Sequence, residues 1–207
     1  DGTAAFASRG LVLSFFGKSS HASQPENGHN PARAISKLII DIPELTARED
    51  HRGIVMATVV CVRIGEEAFG TNAGFGQLML TIRAEFESEL DALDSEICAR
   101  ARAYARQDGI TNVEVQYRDS FPETRNTPDA VAAVRKARLE CGLPEARWDE
   151  PFRSSEDFGC YTKLTSGALF YIGCGTRHAK LHTREYDFND EIIEPAVDMM
   201  FRLAQDA

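Results

Sequence analysis

Apolar runs and helical stripes divide the first 120 residues of the chain into six predicted elements. The short apolar run Leu11 to Phe16 predicts a buried strand. After Asn30-Pro31, apolar residues recur at helical spacing and predict a helix that ends at Pro43. The other elements of this part are predicted strands at 54–64, 77–86 and 113–117, and a predicted helix at 90–107.

The order strand, helix, strand, strand, helix, strand is typical of a split βαβ sandwich, in which two helices cover one face of an antiparallel sheet. We expect this module over residues 8–119. The fold class that follows is α/β, in its α+β form, with residues 1–7 and 120–207 belonging to a second part.

The second part is too poor in strands to form a sheet. The pattern of apolar residues in this part predicts helices at 129–141, 154–164 and 190–205, but only one short strand, at 168–173. Because a strand needs neighbours, we expect the adjoining strands to lie in sequence outside this chain. The chain also opens at Asp1 with neither a methionine nor a leader, as a sequence cut from a longer one would.

Composition excludes several classes of protein. A hydrophobic content of 43% in 207 residues is enough for a real core. The net charge of -9 argues against a sequence-independent nucleic-acid binder, and no apolar run approaches the roughly 20 residues of a membrane helix. The five cysteines are scattered without paired spacing, which favours a reducing, cytoplasmic setting. We therefore expect neither a nucleic-acid nor a membrane partner.

A histidine between small residues follows the first predicted strand. Residues 17–25 read Gly-Lys-Ser-Ser-His-Ala-Ser-Gln-Pro, so His21 has no bulky neighbours in sequence. Isolated histidines more often satisfy a turn or a core than take part in chemistry. The segment is not a phosphate-binding loop, because Val12 stands where that motif requires a glycine.

Two histidines near the C-terminus have the spacing of a zinc-binding pair. His178 and His182 are four residues apart, but Ala179 occupies the place of the general-base glutamate of helical zinc motifs. Gly173 and Gly175 indicate a loop instead of a helix. His182 remains a candidate for a single metal ligand at the end of a strand.

Three other polar sites have both a structural and a functional interpretation. The stretch Ser154-Ser155-Glu156-Asp157 predicts a helix start, where serine caps and acidic side chains complement the dipole. Asn72 lies in the glycine-rich connection 69–76, and Arg83 lies at a strand end. An arginine there could bind a carboxylate, although a surface ion pair is the commoner outcome.

Together these segments resemble the zinc-dependent amidohydrolase and carboxypeptidase family of aminoacylases, N-acyl amino acid hydrolases and auxin-conjugate hydrolases. The matching segments are, in chain order, 17–25 with 30–32, 69–74, 81–83, 155–159 and 181–188. The resemblance covers nearly the whole chain. It implies a two-layer lid, which also forms a homodimer, inserted into a larger α/β domain that carries the metal centre.

The resemblance implies roles for four residues. His21 would be the lid histidine that reaches into the partner's site and stabilises the oxyanion. Arg83 and Asn72 would bind substrate, with Arg83 holding its carboxylate, and His182 would be the last metal ligand. Asn72 departs from the family pattern, because Ala73 to Phe75 follow it where relatives carry an Asn-x-x-Pro turn.

By resemblance, the complete enzyme would use Zn²⁺ or Mn²⁺ to cleave a small amide substrate. A hydrolytic zinc site needs three or more protein ligands and a base, and His182 alone qualifies well in this sequence. We therefore expect this chain to be inactive and metal-free without the N-terminal half of the catalytic domain, which could also exist as a separate chain. The alternative is a non-catalytic dimerisation or small-molecule-binding module.

Overall fold

The computed structural model describes residues 2–146, 151–176 and 178–205. Its strands are β1 (Gly2–Ala5), β2 (Ala7–Phe16), β3 (Ser20–His21), β4 (Val55–Ile64), β5 (Thr71–Asn72), β6 (Phe75–Ala84), β7 (Asn112–Phe121) and β8 (Thr124–Asn126). Its α-helices are α1 (Ala32–Thr46), α2 (Glu87–Gln107), α3 (Pro128–Glu140), α4 (Gly159–Thr162) and α5 (Ile193–Gln205). Single 3₁₀ turns lie at Pro25–Asn27 and Asp190–Ile192.

Four strands form one antiparallel sheet in the order β4-β6-β2-β7. Alternate residues of β2, namely Leu11, Leu13 and Phe15, are fully buried on one face. Helices α1 and α2 pack against each other and against this sheet, and the buried apolar residues of both layers form a single cluster. The predicted α+β fold class and the split βαβ arrangement are confirmed.

Helix α1 does not end at Pro43, as its sequence predicts, but continues to Thr46. Proline has no N–H to donate, yet its carbonyl still accepts from the Ala47 N–H at 3.1 Å. Leu45 is almost fully buried, so extending the helix by one turn adds apolar contact with the core. That packing outweighs the missing hydrogen bond at Pro43.

Strand β7 is longer than the predicted 113–117 and contains a bulge. Ser8 of β2 pairs with Phe121 and Gly10 pairs with Arg118, so β7 holds one extra residue between these pairs. Asp119, within the bulge, has a left-handed backbone with φ 45°. The bulge lets β7 continue alongside β2 to the end of the sheet.

The predicted helix at 154–164 is wrong except for its last part. Residues 159–162 alone form α4, and no side chain caps its start. The segment before it is tied to the chain's beginning instead, because the Phe6 N–H lies 3.2 Å from the Phe152 carbonyl and 3.0 Å from the Ser154 carbonyl. Ser154 and Ser155 therefore do not cap a helix, which removes the structural interpretation of the acidic pair.

The predicted strand at 168–173 has no ladder partner among the described residues. β1 pairs with β8, and the Asn126 side chain of β8 bonds both backbone groups of Leu169 at 2.9 Å. The side-chain amide of Asn126 thus makes the two hydrogen bonds that a neighbouring strand would otherwise make with Leu169.

Within the described ranges, no helix is both long and apolar enough to cross a membrane.

Candidate functional site

His21 lies on a closed loop, residues 17–30, which we call the His21 loop. Its base is held by two backbone hydrogen bonds between Lys18 and His29, at 3.1 and 2.8 Å. A Cβ at Gly17 would lie 1.9 Å from the His29 carbonyl oxygen, so the two ends of the loop can meet only because this residue is glycine. The loop is therefore pre-organised by its backbone.

The loop is paired with the connection between β4 and β6. His21 and Ser20 of β3 face Thr71 and Asn72 of β5, respectively. The Ala22 N–H donates to the Gly70 carbonyl at 3.0 Å. Two predicted site residues, His21 and Asn72, are thereby brought to the same place.

The His21 imidazole has one nitrogen engaged within the loop. The Ser23 N–H lies 3.1 Å from Nδ1, and the Ser23 hydroxyl oxygen lies 2.7 Å from it. A backbone N–H can only donate, so Nδ1 accepts and the proton of the neutral ring lies on Nε2. His21 is exposed, and Nε2 has no hydrogen-bond partner among the described residues. This nitrogen is available as a donor to a bound molecule.

Arg83 lies in the four-stranded sheet, near the end opposite to the one at which β2 leads into the His21 loop. In β6 it stands across from Ser8 of β2, and its Nη1 donates to the Ser155 hydroxyl at 2.8 Å and the Arg153 carbonyl at 3.2 Å. These bonds hold the guanidinium against residues 153–155. Nε and Nη2 form no hydrogen bond with the described parts of the chain.

One copy of the chain cannot place His21 and Arg83 on the same small molecule. Ser8, across from Arg83, and Phe16, across from Phe75, are eight residues apart on β2. At about 3.3 Å per residue this is roughly 26 Å, and His21 follows beyond Phe16. The structure joins Arg83 to Ser155 and separates both from His21.

His182 lies in an exposed loop with a left-handed backbone, φ 63°. Such a conformation is uncommon for a residue other than glycine and concentrates at functional sites. In the described ranges, no group of three or more His, Cys, Asp or Glu side chains is placed to hold a metal ion. The described residues do not fit a complete metal centre by themselves.

Sequence reasoning missed two residues of this site. Ser23 orients the His21 ring, and Asn30 binds the Asn72 amide through its own Nδ2 at 2.8 Å. Asn30 stands before Pro31 at a helix start, which is a recognisable signal for a capping role but not for a contact with Asn72. Ser23 carries no signal beyond its closeness to His21 in sequence.

Comparison with known proteins gives matches along nearly the whole chain. N-acetyldiaminopimelate deacetylase of Bacillus licheniformis is 27% identical over 198 residues, which cover 92% of this chain and 50% of that protein. Hippurate hydrolase of Campylobacter jejuni is 22% identical, with 93% and 50% covered. IAA-amino acid hydrolase ILR1-like 2 of Arabidopsis thaliana is 25% identical, with 86% and 42% covered. The chain spans about half the length of these curated relatives.

Solved structures share the fold. The Bacillus subtilis YXEP protein, described as a dinuclear metal binding peptidase from the M20 family, superposes with a TM-score of 0.76 at 16% identity. The match covers 99% of this chain and 51% of that one. Aminopeptidase PepT from Bacillus cereus has a TM-score of 0.75 at 14% identity, over 98% of this chain and 52% of that one.

The family assignment follows from the sequence match, and the shared fold agrees with it. The sequence model described as peptidase family M20/M25/M40 matches residues 21–206, which include all four residues that the resemblance singles out: His21, Asn72, Arg83 and His182. The chain belongs to the peptidase family M20/M25/M40.

Proposed function

We propose that this chain is the lid and C-terminal part of a metal-dependent amidohydrolase that cleaves N-acyl amino acids or similar small conjugates. The names of the three relatives support this substrate class, since N-acetyldiaminopimelate, hippurate and an IAA-amino acid conjugate each join an acyl group to an amino acid. Residues 8–119 would form the lid, and residues 1–7 and 120–207 would complete the catalytic domain.

The geometry of His21 carries the proposal. Its Nε2–H faces outward from a closed loop, while Ser23 holds Nδ1. A fixed donor of this kind can stabilise the negative charge that develops on an amide carbonyl oxygen during attack by water. Because the loop is already formed, little reorganisation is needed when the substrate binds.

Arg83 is suited to bind the carboxylate of an amino-acid product or substrate. Its Nη1 is anchored by Ser155, which leaves Nε and Nη2 for a planar carboxylate. The resemblance also predicts Asn72 as a substrate-binding residue, but its amide already has partners inside the His21 loop.

We propose a homodimer through the lid, because a site that uses both His21 and Arg83 must combine two copies. In one copy, roughly 26 Å of β2 lies between Ser8, which pairs with Arg83, and Phe16, where the strand ends before the His21 loop, and this is more than a small amide substrate spans. The His21 of one copy would act on the substrate that Arg83 of the other copy holds.

The metal would be held by His182 together with residues outside this chain. When bound there, Zn²⁺ or Mn²⁺ would supply Lewis-acid chemistry, by which the amide carbonyl is polarised and a water is made easier to deprotonate. Helix α5 has an exposed apolar stripe formed by Ile193, Val197 and Met200, which supports an N-terminal half of the catalytic domain that covers it.

We also propose a cytoplasmic location, because the scattered cysteines are typical of a reducing compartment.

The experiment uses the longest natural polypeptide that contains this chain, assayed on N-acetyl and N-benzoyl amino acids. We expect a chelator to abolish amide cleavage and Zn²⁺ or Mn²⁺ to restore it. His21→Ala should lower kcat by about 10²- to 10³-fold, in line with the loss of an oxyanion donor, with no change in thermal unfolding.

The matched control is His178→Ala, which removes another exposed imidazole. Its kcat should equal that of the natural protein. An unchanged kcat in His21→Ala would contradict the assigned role. Binding of an N-acyl amino acid without any turnover, with or without metal, would support the alternative of a non-catalytic binding module.

A further inference from the structure

The Asn72 side chain links three segments around the His21 loop. Its Oδ1 accepts from Asn30 Nδ2 at 2.8 Å, and its Nδ2 donates to the Ser20 hydroxyl at 3.1 Å. Asn30 in turn accepts from the Ala32 N–H at 2.8 Å, at the start of α1. The amide therefore joins β5, the residue before His21, and the first turn of a core helix.

The loop backbone is closely packed around this amide. A Cβ at Gly28 would lie 2.7 Å from Asn72 Nδ2 and 2.6 Å from the Ser20 hydroxyl oxygen. No side chain larger than hydrogen fits there without moving one of the two groups. The Asn72 amide thus has polar partners on both ends and backbone against one side.

These contacts matter because the backbone pairing beside His21 is short. β3 and β5 contain two residues each, and two-residue pairing contributes little stability alone. Ser23 fixes the His21 ring, and the Gln24 N–H holds the His21 backbone by donating to its carbonyl at 2.9 Å. The bond from Asn72 to Ser20 adds a side-chain constraint one residue before His21 and ties this backbone to β5.

We propose that Asn72 is a positioning residue, which acts on the reaction by holding His21 in place and makes no contact with the substrate. Both polar atoms of the amide have partners in the His21 loop, because Oδ1 accepts from Asn30 and Nδ2 donates to Ser20 and lies 3.5 Å from the Pro25 carbonyl oxygen. A substrate bound by Asn72 would therefore have to compete with these contacts. This inference rests on the proposed role of His21.

The test is a double-mutant cycle in the full-length enzyme. We expect Asn72→Ala to lower kcat by roughly 10- to 100-fold, because a displacement of about 1 Å at a catalytic group has effects of this size, and to leave KM nearly unchanged. In a His21→Ala background, Asn72→Ala should cause no further loss of kcat, since the group that it positions is already absent.

Two more variants keep the test independent of folding. Ser20→Ala removes one acceptor of the amide and should lower kcat less, again without effect in the His21→Ala background. Gln77→Ala is the matched control, because it removes another part-buried bond from an amide to a hydroxyl, Gln77 to Ser14 at 3.0 Å. It should leave kcat unchanged.

The outcomes separate the inference from the proposed function. The positioning role would be overturned if the fold-losses in kcat of the two single variants multiplied in the double variant, or if Asn72→Ala raised KM. Either result would show that Asn72 contacts the substrate. A His21→Ala variant with natural kcat would instead overturn the proposed function, and the positioning role with it. If Asn72→Ala does not fold, the cycle of Ser20→Ala with His21→Ala decides the question by the same criterion.

Discussion

At the scale of single residues, His51 is the histidine whose surroundings define its charge. Its Nδ1 lies 2.9 Å from a Glu89 carboxylate oxygen, its Nε2 lies 2.9 Å from the Leu45 carbonyl oxygen, and 11% of the side chain is exposed. Both partners are acceptors, so the ring satisfies both only as the imidazolium. Burial alone would lower the pKa of His51, but the hydrogen bonds to Leu45 and Glu89, with the nearby Asp50, together raise it.

This contact predicts a pH-dependent stability. The pKa of His51 is about 6.5 in the unfolded chain and higher in the folded one, so its stabilisation is complete below about pH 6.5 and is lost as the pH rises through the folded pKa. Glu89→Gln keeps the shape of the contact but removes the charge. We expect the natural protein to exceed this variant in free energy of unfolding most near pH 6, and the difference to shrink toward pH 9.

Urea unfolding of both proteins at several pH values measures this difference. Glu114→Gln, on the exposed end of β7, is the matched control and should show no such trend. A difference between natural protein and Glu89→Gln that stays constant from pH 6 to pH 9 would show that His51 is neutral in the folded state.

The sequence predicts the candidate site only in part. Three of its residues can be recognised from their neighbours in sequence, which are small, glycine-rich or at the end of a predicted strand: His21, Arg83 and His182. Ser23 and Asn30 do not stand out, because their roles depend on which atoms the folded loop brings together. The separation of His21 from Arg83 also follows from strand register, which no local pattern contains.

At the scale of elements, helix α1 shows how much its core-facing apolar residues contribute to the free energy of unfolding. Leu38 is fully buried against the sheet, whereas Ile40, two residues later, is 74% exposed. We expect Leu38→Ala to lower the free energy of unfolding by about 2–5 kcal/mol, through lost burial and the cavity left behind. Ile40→Ala, the control on the same helix, should change it by less than about 0.5 kcal/mol.

Chemical denaturation of the two variants measures both values. Equal effects of Leu38→Ala and Ile40→Ala would mean that α1 does not bury the face assigned to it. The exposed Ile40 side chain would then have to contact protein that covers the outer surface of the helix.

Apolar periodicity predicts the elements of residues 8–119 better than those of the C-terminal part. The six elements predicted for residues 8–119 pack around one buried cluster, so their apolar positions are the ones that contact each other in the fold. The predicted helix at 154–164 fails because residues 152–154 bind the backbone of Phe6, far away in sequence. Tertiary contacts of this kind override local propensity.

At the scale of the whole molecule, the core is unevenly distributed. The large buried cluster lies entirely between Ala7 and Ile110, with Val113 and Val115 packed against it. In the described residues after 120, the buried apolar side chains are Ala137 and Met199. Residues 8–119, which we propose as the lid, thus contain nearly all of the apolar core.

We therefore predict that residues 8–119 fold on their own and that residues 120–207 do not. Circular dichroism of the two separate pieces should show mixed helix and strand with a cooperative urea transition for the first. The second should show no cooperative transition. The division would be wrong if residues 8–119 unfolded gradually, or if residues 120–207 gave a transition of their own.

The placement of His21 and Arg83 toward opposite ends of the four-stranded sheet also has a genetic consequence. Under the proposed exchange of His21 between copies, a cell with one allele defective in His21 and another defective in Arg83 would still assemble some working sites. In a mixed dimer, the copy with an intact Arg83 would receive an intact His21 from the other. Two alleles that each abolish activity alone would thus complement each other, as alleles of a single gene seldom do.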